Sequence, residues 1–178
     1  MFSLLGIAAA AAAAATAVVP AGPALAAGTG STTTTFTIST GTLSISVPPT
    51  ANLGTVQSGS THVSALLGDV QVTDLRAALS GSWVTTVSST DFTTGTGTGP
   101  ETVPNSDVTY DPGSLVASSG TGTFTPGTPG TLAAPRTAFS ATSEVGDTVA
   151  TWDPQITIQL PSGAVNGTYT GTITHSVA

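Results

Sequence analysis

The sequence predicts an all-β protein, an antiparallel two-sheet β-sandwich of Ig-like type that follows an N-terminal signal peptide. Three observations carry that expectation. Short runs in which apolar and polar residues alternate recur along the chain, the pattern of strands that bury one face. Segments rich in Gly, Pro, Thr and Ser punctuate them. After the apolar N-terminus no stretch carries apolar residues at i, i+3, i+4 and i+7 over three turns, so helices are not expected. About eight short strands at this spacing fit two packed sheets.

In chain order, Phe2 to Val19 is an Ala-dominated apolar run, broken by Pro20 and Pro23. Ala24-Leu25-Ala26 supplies the small residues that signal peptidase needs before Ala27, so residues 1–26 read as an export signal cleaved between Ala26 and Ala27. The basic n-region of such signals is missing. A spanning helix is the competing reading, but Ala is barely hydrophobic enough, and the prolines favour cleavage. Residues 27–34 read as a flexible leader. Residues 35–178 then form the sandwich domain, and a mature chain of about 150 residues can bury a sizeable core.

Within that domain Phe36 and Ile38, then Leu43, Ile45 and Val47, alternate until Pro48-Pro49 ends the run, because proline cannot donate to a ladder. Val70 and Val72 follow the Gly68-Asp69 turn. Trp83 to Val87, Val108 to Tyr110, Gly122 to Thr125 and Thr137 to Thr142 give four more strand candidates. Gln155 to Leu160 and Thr168 to Thr174 read as a terminal pair joined through the turn Pro161 to Gly167, with Gly167 left-handed, and no membrane anchor after it. Thr93 to Ser106 and Pro126 to Pro135 read as long loops able to carry contacts. Low charge with many Gly, Ser and Thr is also compatible with disorder, but recurrent β-branched and aromatic residues argue for folding.

Charge and composition narrow the function. The chain has 9 acidic residues against two arginines, Arg76 and Arg136, and no lysine, a formal net charge of −7. Nucleic acid is therefore not an expected partner, since gripping a phosphate backbone takes many cationic side chains. The absence of cysteine excludes disulfides, thiolate metal sites and cysteine nucleophiles. The bias to Ala, Gly, Pro and Thr matches GC-rich codon usage, as in a high-GC Gram-positive bacterium.

Catalytic constellations are weak. The two histidines, His62 and His175, fall in a Ser/Gly-rich turn region and in the last strand, and no Gly-x-Ser-x-Gly elbow is present. Both read as exposed or sheet-edge residues. The carboxylate pairs Asp69/Asp74, Glu101/Asp107, Asp107/Asp111 and Glu144/Asp147 lie beside Gly, Pro or Ser, where acids cap turns. No calcium-loop spacing occurs, so no cofactor or metal is expected and the protein reads as a non-enzyme. Leu160-Pro161-Ser162-Gly163 lacks the Thr and the following apolar segment that sortase requires. The aromatic residues Trp83, Trp152, Tyr110 and Tyr169 are the candidate binding residues, as stacking platforms for sugars; the competing reading places both tryptophans in the core.

Two stretches, Val72 to Thr94 (VTDLRAALSGSWVTTVSSTDFTT) and Thr151 to Ala178 (TWDPQITIQLPSGAVNGTYTGTITHSVA), resemble WxL-type bacterial cell-surface domains. In that family a strand-borne Trp-x-Leu follows a segment like Val-x-Asp-x-Arg. Here Val72-Thr73-Asp74-Leu75-Arg76 precedes Trp83-Val84-Thr85, with Thr85 in the place of Leu, and His175-Ser176-Val177 stands where a second aromatic motif would be. The resemblance implies a secreted, non-catalytic protein associated non-covalently with the cell wall. It would bind peptidoglycan glycan or a wall-bound partner, with Trp83 as the motif position and no membrane span in the mature chain. The alternatives are a structural or adhesive subunit docked on another surface protein, and a hydrolase.

Overall fold

A computed structural model describes residues 30–178; the expected export signal and the expected cleavage point at Ala26 and Ala27 lie outside the described residues. Residues 30–37 form no strand, and Phe36 is 87% exposed. Residues 38–178 form one compact unit, and it is all-β and antiparallel.

Eleven strands follow in chain order: β1 (Leu43–Ser46), β2 (His62–Leu66), β3 (Val70–Ser89), β4 (Phe92–Thr93), β5 (Thr102–Val103), β6 (Val108–Asp111), β7 (Leu115–Pro126), β8 (Gly130–Thr131), β9 (Arg136–Trp152), β10 (Gln155–Gln159) and β11 (Ile173–Val177). One sheet runs β1-β3-β9-β7, with β11 added to β3 beyond the end of β1. The second runs β2-β10-β6-β8, and β4 pairs with β5 in a small ribbon. The helical content of the described residues is two single 3-10 turns, Gly99–Glu101 and Asn105–Asp107.

The inward residues of the two sheets meet in one core. Val70, Val72, Trp83, Val87, Phe139, Ala150 and Trp152 come from the first sheet, and Val108, Tyr110, Ile156 and Ile158 from the second. Alternation explains which they are: in β10, Ile156 and Ile158 are buried while Gln155 and Gln159 are exposed. The rings of Phe139 and Trp152 stack with centroids 4.8 Å apart.

Several sequence expectations change here. The candidates Val70 and Val72 and Trp83 to Val87 are one 20-residue strand, β3, and Thr137 to Thr142 is part of the 17-residue β9. His62 begins a strand, β2, where a turn region was expected. Phe36 and Ile38 lie outside any strand, because no chain segment is laddered against them. The terminal pair is not a hairpin: β10 joins β2 and β6 in one sheet, whereas β11 joins β3 in the other. The segment between them crosses from sheet to sheet, Gly167 is not left-handed, and only Thr170 in it makes a bridge, to Thr93. The loops Thr93 to Ser106 and Pro126 to Pro135 contain β5, both 3-10 turns and β8.

Candidate functional site

Three of the four aromatic candidates are core residues. Trp83, Trp152 and Tyr110 are exposed by 2%, 0% and 1%, so they present no stacking face to a sugar. The cause is their phase: each occupies an inward position of its strand, and a large ring there supplies much of the buried apolar area. Tyr169 alone is partly accessible.

The burial of Trp83 is tied to a polar cluster that the turn reading of the acids missed. Its Nε1 donates to Glu144 Oε1 at 2.9 Å, and Thr148 Oγ1 donates to the same oxygen. Glu144 is 1% exposed, and its second oxygen, Oε2, is buried without a conventional donor. Beside it, Asp74 (2% exposed) is clamped by Arg76, whose Nε lies 2.9 and 3.0 Å from its two oxygens and whose Nη2 lies 2.6 Å from Oδ2. The Arg76 backbone N–H also donates to Asp74, and Nη2 reaches Ser82 O at 2.7 Å. Hydrogen bonding from Arg76 holds the Asp74 carboxyl below the usual range against the cost of burial.

Local backbone irregularity makes room for this cluster. Between Asp74 and Ala78, β3 advances four residues while β9 advances two, from Thr148 to Gly146, and Ala77 and Ser143 adopt left-handed φ of 52° and 56°. Glycines flank the buried acid on both neighbouring strands. A Cβ on Gly81 would stand 3.3 Å from Glu144 Oε2, and one on Gly122 3.1 Å from Glu144 Cγ. Of the other paired acids, Glu101 and Asp111 cap turns as expected, whereas Asp69, Asp107 and Asp147 accept no side-chain hydrogen bond among the described residues; Asp153, outside those pairs, also caps. Glu101 accepts from the backbone and hydroxyl of Thr98 and from Thr96, which lowers its pKa to about 2, while Asp111 accepts from Gly113 N and Asp153 from Gly68 N.

A second polar chain links the two sheets. Trp152 Nε1 donates to Tyr110 Oη at 3.0 Å, and that hydroxyl lies 3.0 Å from His175 Nε2. The phenol oxygen accepts from the indole and keeps both a proton and a second lone pair, so it can pair with either tautomer of the imidazole. Burial pushes His175 down to about 4 and raises the Tyr110 phenol. His175 does occupy an edge strand, as expected, but its ring turns inward. His62 is exposed, and its Nδ1 lies 3.3 Å from Thr61 Oγ1.

Two adjoining clefts of about 200 and 590 Å³ share Ala51, Leu53, Phe92 and Gly171, and His175 of the second cluster lines the smaller of them. The larger runs between residues 51–56 and 167–171, lined by Val63, Val103, Leu160 and Tyr169 with Asn52, Thr55, Thr168 and Thr170. It has the size and the mixed lining of a ligand cleft. Tyr169 is anchored in its wall: its hydroxyl is within 3.1 Å of Pro100 O, 2.9 Å of Val165 O and 3.1 Å of Val165 N. Among the described residues no group of three or more His, Cys, Asp or Glu could hold a metal ion, and no helix is long and apolar enough to cross a membrane.

Comparison with protein-family models, with curated proteins and with solved structures returns no match.

Proposed function

We propose that the protein is a secreted, non-catalytic cell-surface protein that associates non-covalently with the bacterial cell wall, through peptidoglycan glycan or a wall-bound partner. The observation that carries this reading is that the two stretches resembling WxL-type domains are neighbours in space. Strand β11, from the second stretch, pairs with β3 of the first, His175 opposite Val87 and Val177 opposite Thr85. Within the first stretch, Asp74, Arg76 and Trp83 belong to one cluster around the buried Glu144, with the Arg76 side chain reaching the surface. Their role in this reading is to hold the shape of the first sheet, and ligand contact falls to the cleft beside Tyr169, where an aromatic ring stands among hydroxyl and amide groups suited to a glycan.

The test is sedimentation of the purified mature chain with isolated sacculi. Recovery with the pellet, saturable and competed by soluble wall fragments, supports the reading. Failure to sediment, with co-purification of an envelope protein instead, favours the adhesive or structural subunit. That second reading draws on a long uncharged sheet edge at β7.

A further inference from the structure

Resting on the reading of the larger cleft as a glycan site, we propose that the smaller cleft beside it is a pocket for an N-acetyl group, so that the ligand is an N-acetylated amino sugar and His175 selects it. The two clefts share Ala51, Leu53, Phe92 and Gly171, so one oligosaccharide can lie in the larger and insert a substituent into the smaller.

Charge decides the class of ligand. No Asp, Glu, Lys or Arg lines either cleft, in a chain with 9 acids and a net charge of −7. A phosphate, carboxylate or ammonium group would enter without a counter-ion and give up its hydration. The ligand that fits is neutral, which favours the glycan strands of a wall over its ionised peptide stems and anionic polymers.

The substituent follows from the lining of the smaller cleft. Its walls are largely apolar, with Pro48, Pro49, Phe92 and Ile173 among them. His175 Nε2 is taken by the Tyr110 hydroxyl at 3.0 Å. Its Nδ1 has no hydrogen-bond partner among the described residues, yet the unpartnered polar atoms sealed from solvent there are Thr85 Oγ1 and Glu144 Oε2, so Nδ1 keeps solvent access. Because the ring lines the smaller cleft, that nitrogen is the polar atom it offers a ligand. Burial keeps the imidazole neutral by lowering its pKa to about 4, and the Tyr110 hydroxyl serves either tautomer, so Nδ1 can accept or donate. An acetamido group answers both features. Its N–H or its C=O meets the imidazole in either tautomer, and its methyl packs on Phe92 and Pro48. A hydroxyl in its place leaves the apolar walls unfilled, and an ammonium brings an uncompensated charge.

The test is an NMR titration of the isotope-labelled mature chain with three soluble probes of one backbone: the tetramer of N-acetylglucosamine, its de-N-acetylated form, and cellotetraose. The acetylated tetramer should bind at least about tenfold tighter than the other two, the effect of one hydrogen bond and a packed methyl. It should also shift the His175 ring resonances and the amides of residues 48–53 and 171–173. Ala51→Phe, at an exposed position on the wall common to both clefts, should abolish that preference with an unchanged circular dichroism spectrum. Equal binding of the acetylated tetramer and cellotetraose, binding that leaves the His175 ring unmoved, or no binding of any tetramer overturns the pocket. Sedimentation with native and de-N-acetylated sacculi separates this from the wall reading. Recovery with native sacculi alone supports both, and recovery with both alike overturns the pocket while wall association stands. Recovery with neither, beside a selective titration, overturns wall association while the pocket stands.

Discussion

Trp83 Nε1 and Glu144 Oε1 lie 2.9 Å apart in the interior, joining the middle of β3 to the middle of β9 where the regular ladder between those strands breaks down. An indole N–H and a carboxylate each carry a desolvation cost when buried alone, and each removes the other's. The glycines at 81 and 122 sit against Glu144, where a Cβ on either would press on its side chain at 3.3 and 3.1 Å.

Replacing Glu144 by Gln and by Ala should therefore give very different results. The amide oxygen of Gln can still accept from Trp83 and Thr148, so Glu144→Gln should change stability by less than about 1 kcal/mol. Glu144→Ala leaves the indole and the Thr148 hydroxyl unsatisfied beside a cavity and should cost roughly 2–5 kcal/mol. Urea unfolding of both variants checks this, and equal losses would show that the hydrogen bonds at Oε1 carry no stability.

Trp83→Ala should destabilise the domain by roughly 3–5 kcal/mol, the range for truncating a large buried aromatic. The ring is 2% exposed and its centroid lies 6.3 Å from that of Phe124. Trp83→Phe keeps most of the apolar volume and isolates the hydrogen bond to Glu144, with an expected loss of about 1–3 kcal/mol. Thermal unfolding separates the two. A Trp83→Ala variant that keeps its melting temperature would remove Trp83 from the core.

Stability should also fall between about pH 6.5 and pH 4 through His175. Its ordinary value is 6.5 and burial lowers it to about 4 in the folded protein, so the unfolded chain takes up a proton in that window while the folded chain does not. The contribution is fully present above pH 6.5 and is lost as pH falls through the folded value, by roughly 3 kcal/mol in all. His175→Gln retains an acceptor for the Tyr110 hydroxyl without titrating, and its stability profile should be flatter across that window. Asp74 adds a separate loss below its ordinary value of 3.8, because Arg76 holds its folded pKa lower still. An unchanged slope in the His175 variant would show that the imidazole is not protonated preferentially on unfolding.

The strand content was legible because one-face burial leaves a period of two, which Val70, Val72, Trp83, Thr85 and Val87 or Ile156 and Ile158 display directly. Strand pairing was not, since alternation says which residues face inward but not which strand lies alongside. Gln155 to Leu160 and Thr168 to Thr174 therefore looked like a hairpin, although the strands found there, β10 and β11, enter different sheets. The buried acids were hidden by their neighbours: Glu144 sits between Ser143 and Val145-Gly146-Asp147, a turn composition that here forms a bulge inside a strand. The available signal was the Val-x-Asp-x-Arg spacing, which places Asp74 on the inward phase set by Val70 and Val72. Tyr169 could be singled out as an aromatic, but the cleft beside it is built from residues more than a hundred positions apart.

Wall association should depend on Tyr169 and should persist or strengthen as salt rises. A chain at −7 is repelled at long range by anionic wall polymers, so attraction must come from short-range contact in the cleft lined by Tyr169, Asn52 and Thr170. Salt screens the repulsion, with a Debye length of about 8 Å at physiological ionic strength, and leaves stacking and hydrogen bonds largely intact. Tyr169→Phe removes the hydroxyl that ties the ring to Pro100 and Val165, and should weaken binding less than Tyr169→Ala, which removes the stacking face as well. Sedimentation with sacculi across a salt series, with and without chelator, measures all of this. Binding that collapses with rising salt would defeat the cleft reading, binding lost only with chelator would assign the contact to a divalent cation bridging acids to the wall, and binding unaffected by Tyr169→Ala would move the contact to another surface.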